Sequence, residues 1–265
     1  LIMKLPKTFG KPRKRRLRGL SINTMIPNIL TLMALAAGLT SMRLAIQERW
    51  ELAVFAVVAA AIFDALDGRV ARLLKGSSKF GAELDSLSDF VCFGVAPAMI
   101  LYLWSMQEFD RLGWILVMLF SMCCGLRLAR FNVAIDQEDA PVWKVNFFSG
   151  VPAPAGAGLV LLPMVVSFQF AEDFCRSPWV VSFFLISVGS LMVSTIPTFS
   201  FKKLKITSKW ILPSMIFIAG LATFSFSLPW LTLSILLIAY LLSIPIGYQT
   251  YRRLNSKENL SNNLT

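Results

Sequence analysis

Apolar runs of about 20 residues recur along the chain, each ended by a short polar stretch, which is the pattern of helices that cross a membrane. These runs predict helices over 24–46, 50–74, 83–107, 112–133, 153–171, 178–197, 210–227 and 229–250. The expected fold class is all-α: a polytopic membrane bundle of about eight transmembrane helices, since helices satisfy their backbone groups internally. A basic arm over 1–23 precedes the membrane domain, 24–250, and a polar tail over 251–265 follows it. No tandem repeat of fixed period interrupts this order.

Composition agrees, with 56% hydrophobic and only 15% charged residues, against about 25% charged in soluble domains. The net charge of +11 then serves mainly to orient the chain. Lys and Arg crowd the arm KLPKTFGKPRKRRLRG, the loop holding Lys75 and Lys79, the KKLK stretch with Lys209, and the tail YRRLNSK. The intervening loops QERWE, QEFDR and AEDFCR lean acidic. Basic loops stay on the cytoplasmic side, so both termini are expected there. The loop from Ala134 to Val151 departs from the alternation, with Asp136, Glu138 and Asp139 against Lys144, but Arg127 and Arg130 stand just before it. The arm, with Arg13, Lys14, Arg15, Arg16 and Arg18 directly ahead of a span, suits anionic lipid head groups and not a nucleic acid. Its apolar run exceeds the 7–15 residues or so of a signal peptide core, so a retained first helix is expected. Cys92, Cys123, Cys124 and Cys175 form no CxxC pair and the chain has no histidine, which makes the cysteines packing residues. Trp50, Trp179, Trp210 and Trp230 stand near helix ends, where an interfacial belt is expected.

One stretch breaks the apolar pattern: DALDGRVARLLKGSSKFGAELDSLSD, Asp64 to Asp89. Asp64 and Asp67 project from one side of the second helix, Asp85 and Asp89 from one side of the third. The intervening loop makes these helices an antiparallel hairpin, with Asp64 and Asp89 at similar depth, roughly 12–15 Å in from the loop at 1.5 Å per residue. One carboxylate at membrane depth costs at least about 2.5–3.5 kcal/mol, and four together also repel one another. Protonation, arginine partners or a metal must compensate. An all-oxygen donor set without Cys or His favours Mg²⁺, Mn²⁺ or Ca²⁺ over zinc. Magnesium keeps positions open for phosphate oxygens, so a phosphate-bearing substrate is expected. Gly68 and Ala71 leave the helix bare where a ligand or neighbouring helix approaches, Arg72 offers a planar fork of donors, and Gly81 frees the backbone at the start of the third helix.

Asp64, Asp67, Gly68, Ala71, Arg72, Gly81, Asp85 and Asp89 together resemble, at every fixed position, the signature of the CDP-alcohol phosphotransferases. The likeness extends to PNILTLMALAAGL and FGVAPA on either side, and to GLRLARFNV and FFSGVPAPAGA further on, which look like the branch that makes phosphatidylserine. The resemblance implies a membrane catalytic domain over 24–250, a donor, CDP-diacylglycerol, an acceptor, L-serine, and CMP as leaving group. It implies a two-metal centre, Mg or Mn, held by Asp64, Asp67, Asp85 and Asp89, with Asp89 also the general base. Gly68, Arg72 and Gly81 would border the cytidine nucleotide. It implies further a homodimer and a bacterial inner membrane location. The absence of histidine independently rules out a Ser-His-Asp triad and leaves proton abstraction to a carboxylate.

Arg127, Arg130 and Asn132 end the fourth helix on the same side as the aspartates. Two arginines three residues apart suit a substrate phosphate or the serine carboxylate, with Arg130 the first choice, and equally suit snorkelling to the interface. Pro152 and Pro154 either shape the acceptor pocket or start the fifth helix. The donor's tails require a groove between helices open to the inner leaflet. The signature does not distinguish serine from choline, glycerol 3-phosphate or inositol phosphate as acceptor. A cation transporter or channel is the alternative of a different class, and would need polar groups on both sides of the midplane.

Overall fold

The computed structural model describes residues 22–262 apart from 75, 77, 136–146, 171, 196 and 200–210. The basic arm through residue 21, Lys75, the acidic run Asp136, Glu138 and Asp139 with Lys144, and the KKLK stretch through Trp210 lie outside the described residues. The rest is a helical bundle. Its elements are α1 (Ile22–Ile46), α2 (Trp50–Leu73), α3 (Lys79–Asp89), α4 (Ala96–Trp104), α5 (Asp110–Ile135), α6 (Ala153–Ser167), α7 (Glu172–Arg176), α8 (Pro178–Val193), α9 (Ile211–Ser227) and α10 (Pro229–Asn262). Each apolar run of the sequence thus lies on a helix. Four helical stretches are long and apolar enough to cross a membrane: Met25–Ile46, Lys79–Trp104, Met106–Val133 and Pro229–Tyr248. Ala153–Ser167, Pro178–Val193 and Pro213–Ser227 are apolar but shorter. α2 has the length, yet Asp64, Asp67, Arg69 and Arg72 concentrate charge in its last third.

The elements differ from the expected ones where local geometry changes over a few residues. The third predicted helix is interrupted over Phe90–Val95, which wind as a π-helix between α3 and α4. A 3.6-residue periodicity does not reveal one wider turn, and such turns collect at functional sites. Here it directly follows Asp89 and places Phe90 against Gly94 and against Gly125 of α5. Two strands, β1 (Phe147–Ser149) and β2 (Pro197–Phe199), pair antiparallel with Phe148 opposite Thr198. Three-residue strands are too short to show an alternating pattern, and residue 197 was expected to end a helix. The fifth predicted helix stops at Ser167 instead of 171, and the last runs on to Asn262.

α6 is the central helix. Ala153, Gly156, Ala157 and the run Leu159–Val165 are buried, and α8, α10, the π-turn and part of α2 pack around it. Lipid supplies no hydrophobic drive between helices, so close packing through small residues is what holds such a core. Pro152 caps α6 and Pro154 stands in its first turn, so of the two readings of these prolines the structure supports the helix start. α1 lies along α2, α3 and α4, while α5 packs on α8 and on the π-turn. Cys92, Cys124 and Cys175 are buried and unpaired. Trp230 is not a belt residue: it is buried, with ring centroids 4.5 Å from Phe55 and 4.7 Å from Phe168. Trp179, 75% exposed, has the outward position the belt requires.

Candidate active site

The C-terminal ends of α2 and α5 and the N-terminal ends of α1 and α3 meet at one end of the bundle. Ser78 fixes the start of α3 by accepting a hydrogen bond from the Gly81 N–H at 3.0 Å, a side-chain N-cap. From that start, Asp85 comes round to face α2. One carboxylate oxygen from each of Asp64, Asp67 and Asp85 lies within 4.8 Å of the others. Asp89 lies one turn deeper, on the side of Asp64, and two neighbouring carboxyls require a proton or a cation between them.

Three ionised carboxylates at 4.8 Å would repel by on the order of 3 kcal/mol per pair at an effective dielectric of about 20. Thr31 of α1 offsets part of this by donating from Oγ1 to Asp67 Oδ2 at 2.7 Å, and Asp67 is only 4% exposed. Asp85 Oδ1 is buried and has no hydrogen-bond partner among the described residues. A buried carboxylate oxygen without a donor lacks part of its coordination. The all-oxygen donors, their spacing and this orphaned atom fit a hard divalent cation.

Beside the carboxylates opens a cleft of about 400 Å³. Asn28 and Thr31 of α1, Asp67, Gly68, Ala71 and Arg72 of α2, and Gly81 and Asp85 of α3 line it. Gly68 leaves it open, because a Cβ there would meet only the end of Arg72 at 3.8 Å. Gly81 has another cause: its Cβ would fall 2.8 Å from Asn28 Oδ1, so the glycine admits α1 to the site. On another face of α2, Val54, Val57, Ile62, Phe93, Leu161 and Leu237 line an apolar groove of about 360 Å³, with Arg69 in its wall. The groove thus shares its charged end of α2 with the cleft.

The three polar residues at the end of α5 separate. Arg127 is 9% exposed, on the part of α5 between Gly125, which packs against Phe90, and Asn132. Asn132 donates from Nδ2 to Ser86 Oγ at 3.0 Å, tying α5 to the helix that carries Asp85 and Asp89. Arg130 instead turns to the end of α8. Its guanidinium donates to the carbonyls of Val193 at 2.6 Å, Ser194 at 2.9 Å and Met192 at 3.4 Å. These are terminal carbonyls that a helix leaves unsatisfied, and a cation is favoured beside them. These hydrogen bonds of Arg130 thus go to this junction. Gly150, at φ +80°, passes the same place, with its Cβ direction blocked by the carbonyls of Met192 and Ser194.

Thr31, Asn28, Ser78 and Ser86 were not among the expected site residues. Asn28 and Thr31 belong to the quoted segment PNILT, but no helical spacing ties them to an acid on another helix. The two serines carry no pattern beyond their position in the aspartate stretch.

The family described as CDP-alcohol phosphatidyltransferase matches residues 24–184. The CDP-diacylglycerol–serine O-phosphatidyltransferase of Mycobacterium tuberculosis (strain H37Rv) is 37% identical over 244 residues, 92% of this chain and 84% of its own. The protein of that name from Mycobacterium leprae is 38% identical over 246 residues, covering 92% of this chain and 80% of the relative. That of Helicobacter pylori (strain 26695) is 37% identical over 197 residues, 74% and 80% of the two chains.

Proposed function

The chain belongs to the CDP-alcohol phosphatidyltransferase family, and from that premise we propose how its site transfers the phosphatidyl group of CDP-diacylglycerol to the hydroxyl of L-serine, giving phosphatidylserine and CMP. It is a multi-pass membrane enzyme of phospholipid biosynthesis. The observation that carries the site assignment is the set of Asp64, Asp67 and Asp85 within 4.8 Å, beside a cleft open at Gly68.

The family uses a divalent metal. Here Asp64, Asp67, Asp85 and Asp89 would hold it, as two ions of Mg²⁺ or Mn²⁺, which would supply positive charge to the diphosphate and to the departing oxygen. The cleft takes the cytidine nucleotide, with Arg72 and the open backbone at Gly68 and Gly81 around it. The groove along α2 takes donor acyl chain, because it is apolar along its length and its wall reaches Arg69, next to Gly68. The serine oxygen attacks the phosphorus that carries diacylglycerol. Its proton passes to Asp89, the bond from that phosphorus to the CMP oxygen breaks, and the bonding pair leaves with CMP. Thr31 keeps the Asp67 carboxylate turned to the site, and Asn132 holds α3 against α5 through Ser86.

The catalytic domain spans 24–250, the membrane is a bacterial inner membrane with both termini cytoplasmic, and the enzyme works as a homodimer. The alternation of basic and acidic loops supports the orientation. The transferase family assignment displaces the transporter reading.

The test is an acceptor panel. Detergent-solubilised protein with CDP-diacylglycerol and Mg²⁺ is offered serine, choline, glycerol 3-phosphate or inositol 1-phosphate, and CMP and lipid product are followed. Serine-dependent phosphatidylserine with stoichiometric CMP is expected. Product with another acceptor alone would overturn the serine assignment, and CMP release unaffected by chelation would overturn the metal site.

A further inference from the structure

The geometry points to Arg127 as the residue that recognises the acceptor's carboxylate, and so selects serine over hydroxyl acceptors without that charge. This rests on the proposed transferase reading and goes beyond it by placing the acceptor.

Arg127 is 9% exposed, so little water surrounds its charge, yet its nitrogens are not among the sealed-off atoms that lack a partner. Among the described residues none accepts a hydrogen bond from Arg127. Its close structural neighbour is the Phe131 ring, 5.8 Å from Cζ, one turn along α5. That contact orients the planar fork without using any of its donors. Arg130, three residues on, shows the contrast: its donors are spent on the carbonyls of Val193 and Ser194. Among the described residues Arg127 therefore keeps donors that a ligand can reach, which is what a bidentate carboxylate site requires.

Its place relative to the acids selects the ligand. On α5, Arg127 stands between Gly125, which packs against Phe90, and Asn132, which is bonded to Ser86, so it lies beside the stretch of α3 that ends in Asp89, whereas the nucleotide cleft lies against Asp67 and Asp85. Displacement at phosphorus is in line, so the attacking oxygen arrives opposite the departing one. With CMP leaving toward the cleft, the acceptor comes from the Asp64–Asp89 side, where Arg127 stands. Serine carries its carboxylate on the carbon adjacent to its hydroxymethyl group. It can therefore hold its carboxylate on Arg127 while its hydroxyl faces Asp89. Choline presents a cation to Arg127 and is repelled.

The experiment compares L-serine with L-serine methyl ester, which keeps the hydroxyl and amine and lacks the negative charge. Full-length protein in detergent, with CDP-diacylglycerol and Mg²⁺, is assayed for kcat/KM with each. The wild-type preference for serine is expected to be about 100-fold or more, as for sites built around a polar substrate group. In Arg127→Gln the ratio should shrink at least about tenfold, mainly through serine KM, and Arg127→Lys should recover part of it. An unchanged ratio, including one in which both acceptors decline together, would overturn the assignment. If Arg127→Gln does not fold, equal use of serine and ester by the wild type overturns it. Absence of any serine-dependent product from the wild type would instead sink the transferase reading itself.

Discussion

Asp89 and Thr31 act at opposite ends of the same acid cluster, and their substitutions test in turn the base and the support of a metal ligand. Asp89→Asn keeps the size of the side chain and removes its capacity to take a proton. Turnover should fall about 10²–10⁴-fold while CDP-diacylglycerol binding is retained, as measured by CMP release and by donor binding. Near wild-type CMP release from this variant would remove Asp89 as base. Thr31→Val removes the hydrogen bond at 2.7 Å to Asp67 with little change in volume. Partners that orient a metal ligand are worth about 10–100-fold in affinity, so the Mg²⁺ midpoint of activity should rise by that factor. An unchanged midpoint would make Thr31 a packing residue. Asp64, Asp67, Asp85 and Asp89 were legible from spacing because i, i+3 and i, i+4 residues share a helix face regardless of the surrounding fold. Thr31 was not, since its partner is 36 residues away on another helix.

Helix junctions position these residues. Gly81→Ala would place a methyl 2.8 Å from Asn28 Oδ1 and push α1 from α3. Overpacking of this kind costs about 1–3 kcal/mol, to be seen as a lower thermal midpoint in detergent; an unaltered midpoint would show that Asn28 yields freely. Arg130→Ala would leave the carbonyls of Val193 and Ser194 without their charged donor. Hydrogen bonds to charged groups contribute about 1.5–3 kcal/mol, and the half-buried setting favours the lower part of that range. The expected signature is a lower midpoint, and no change would return Arg130 to the substrate-binding candidates. Helix positions followed from apolar runs, but the π-turn at Phe90–Val95 and the β1–β2 ribbon did not, because each is too short to impose a period.

At the scale of the whole molecule, Asp64, Asp67 and Asp85 converge between α2 and α3, so a metal bound there would link binding to folding. Chelation should lower the thermal midpoint and added Mg²⁺ restore it, by about 2.7 kcal/mol at a hundred times the dissociation constant. A midpoint indifferent to Mg²⁺ would mean that the acids are compensated without metal. The bundle around that centre was settled largely by sequence: apolar runs longer than a soluble helix needs, helices as the way to satisfy backbone groups in lipid, and a fixed spacing of acids on a hairpin. These are local properties, carried by residues within a few turns of one another. Tertiary structure alone decided that Arg127 is buried beside the Phe131 ring while Arg130 closes the end of α8. The two arginines are three residues apart on one helix, and what distinguishes them is the neighbour each helix face meets, which depends on how α5 packs between the π-turn and α8.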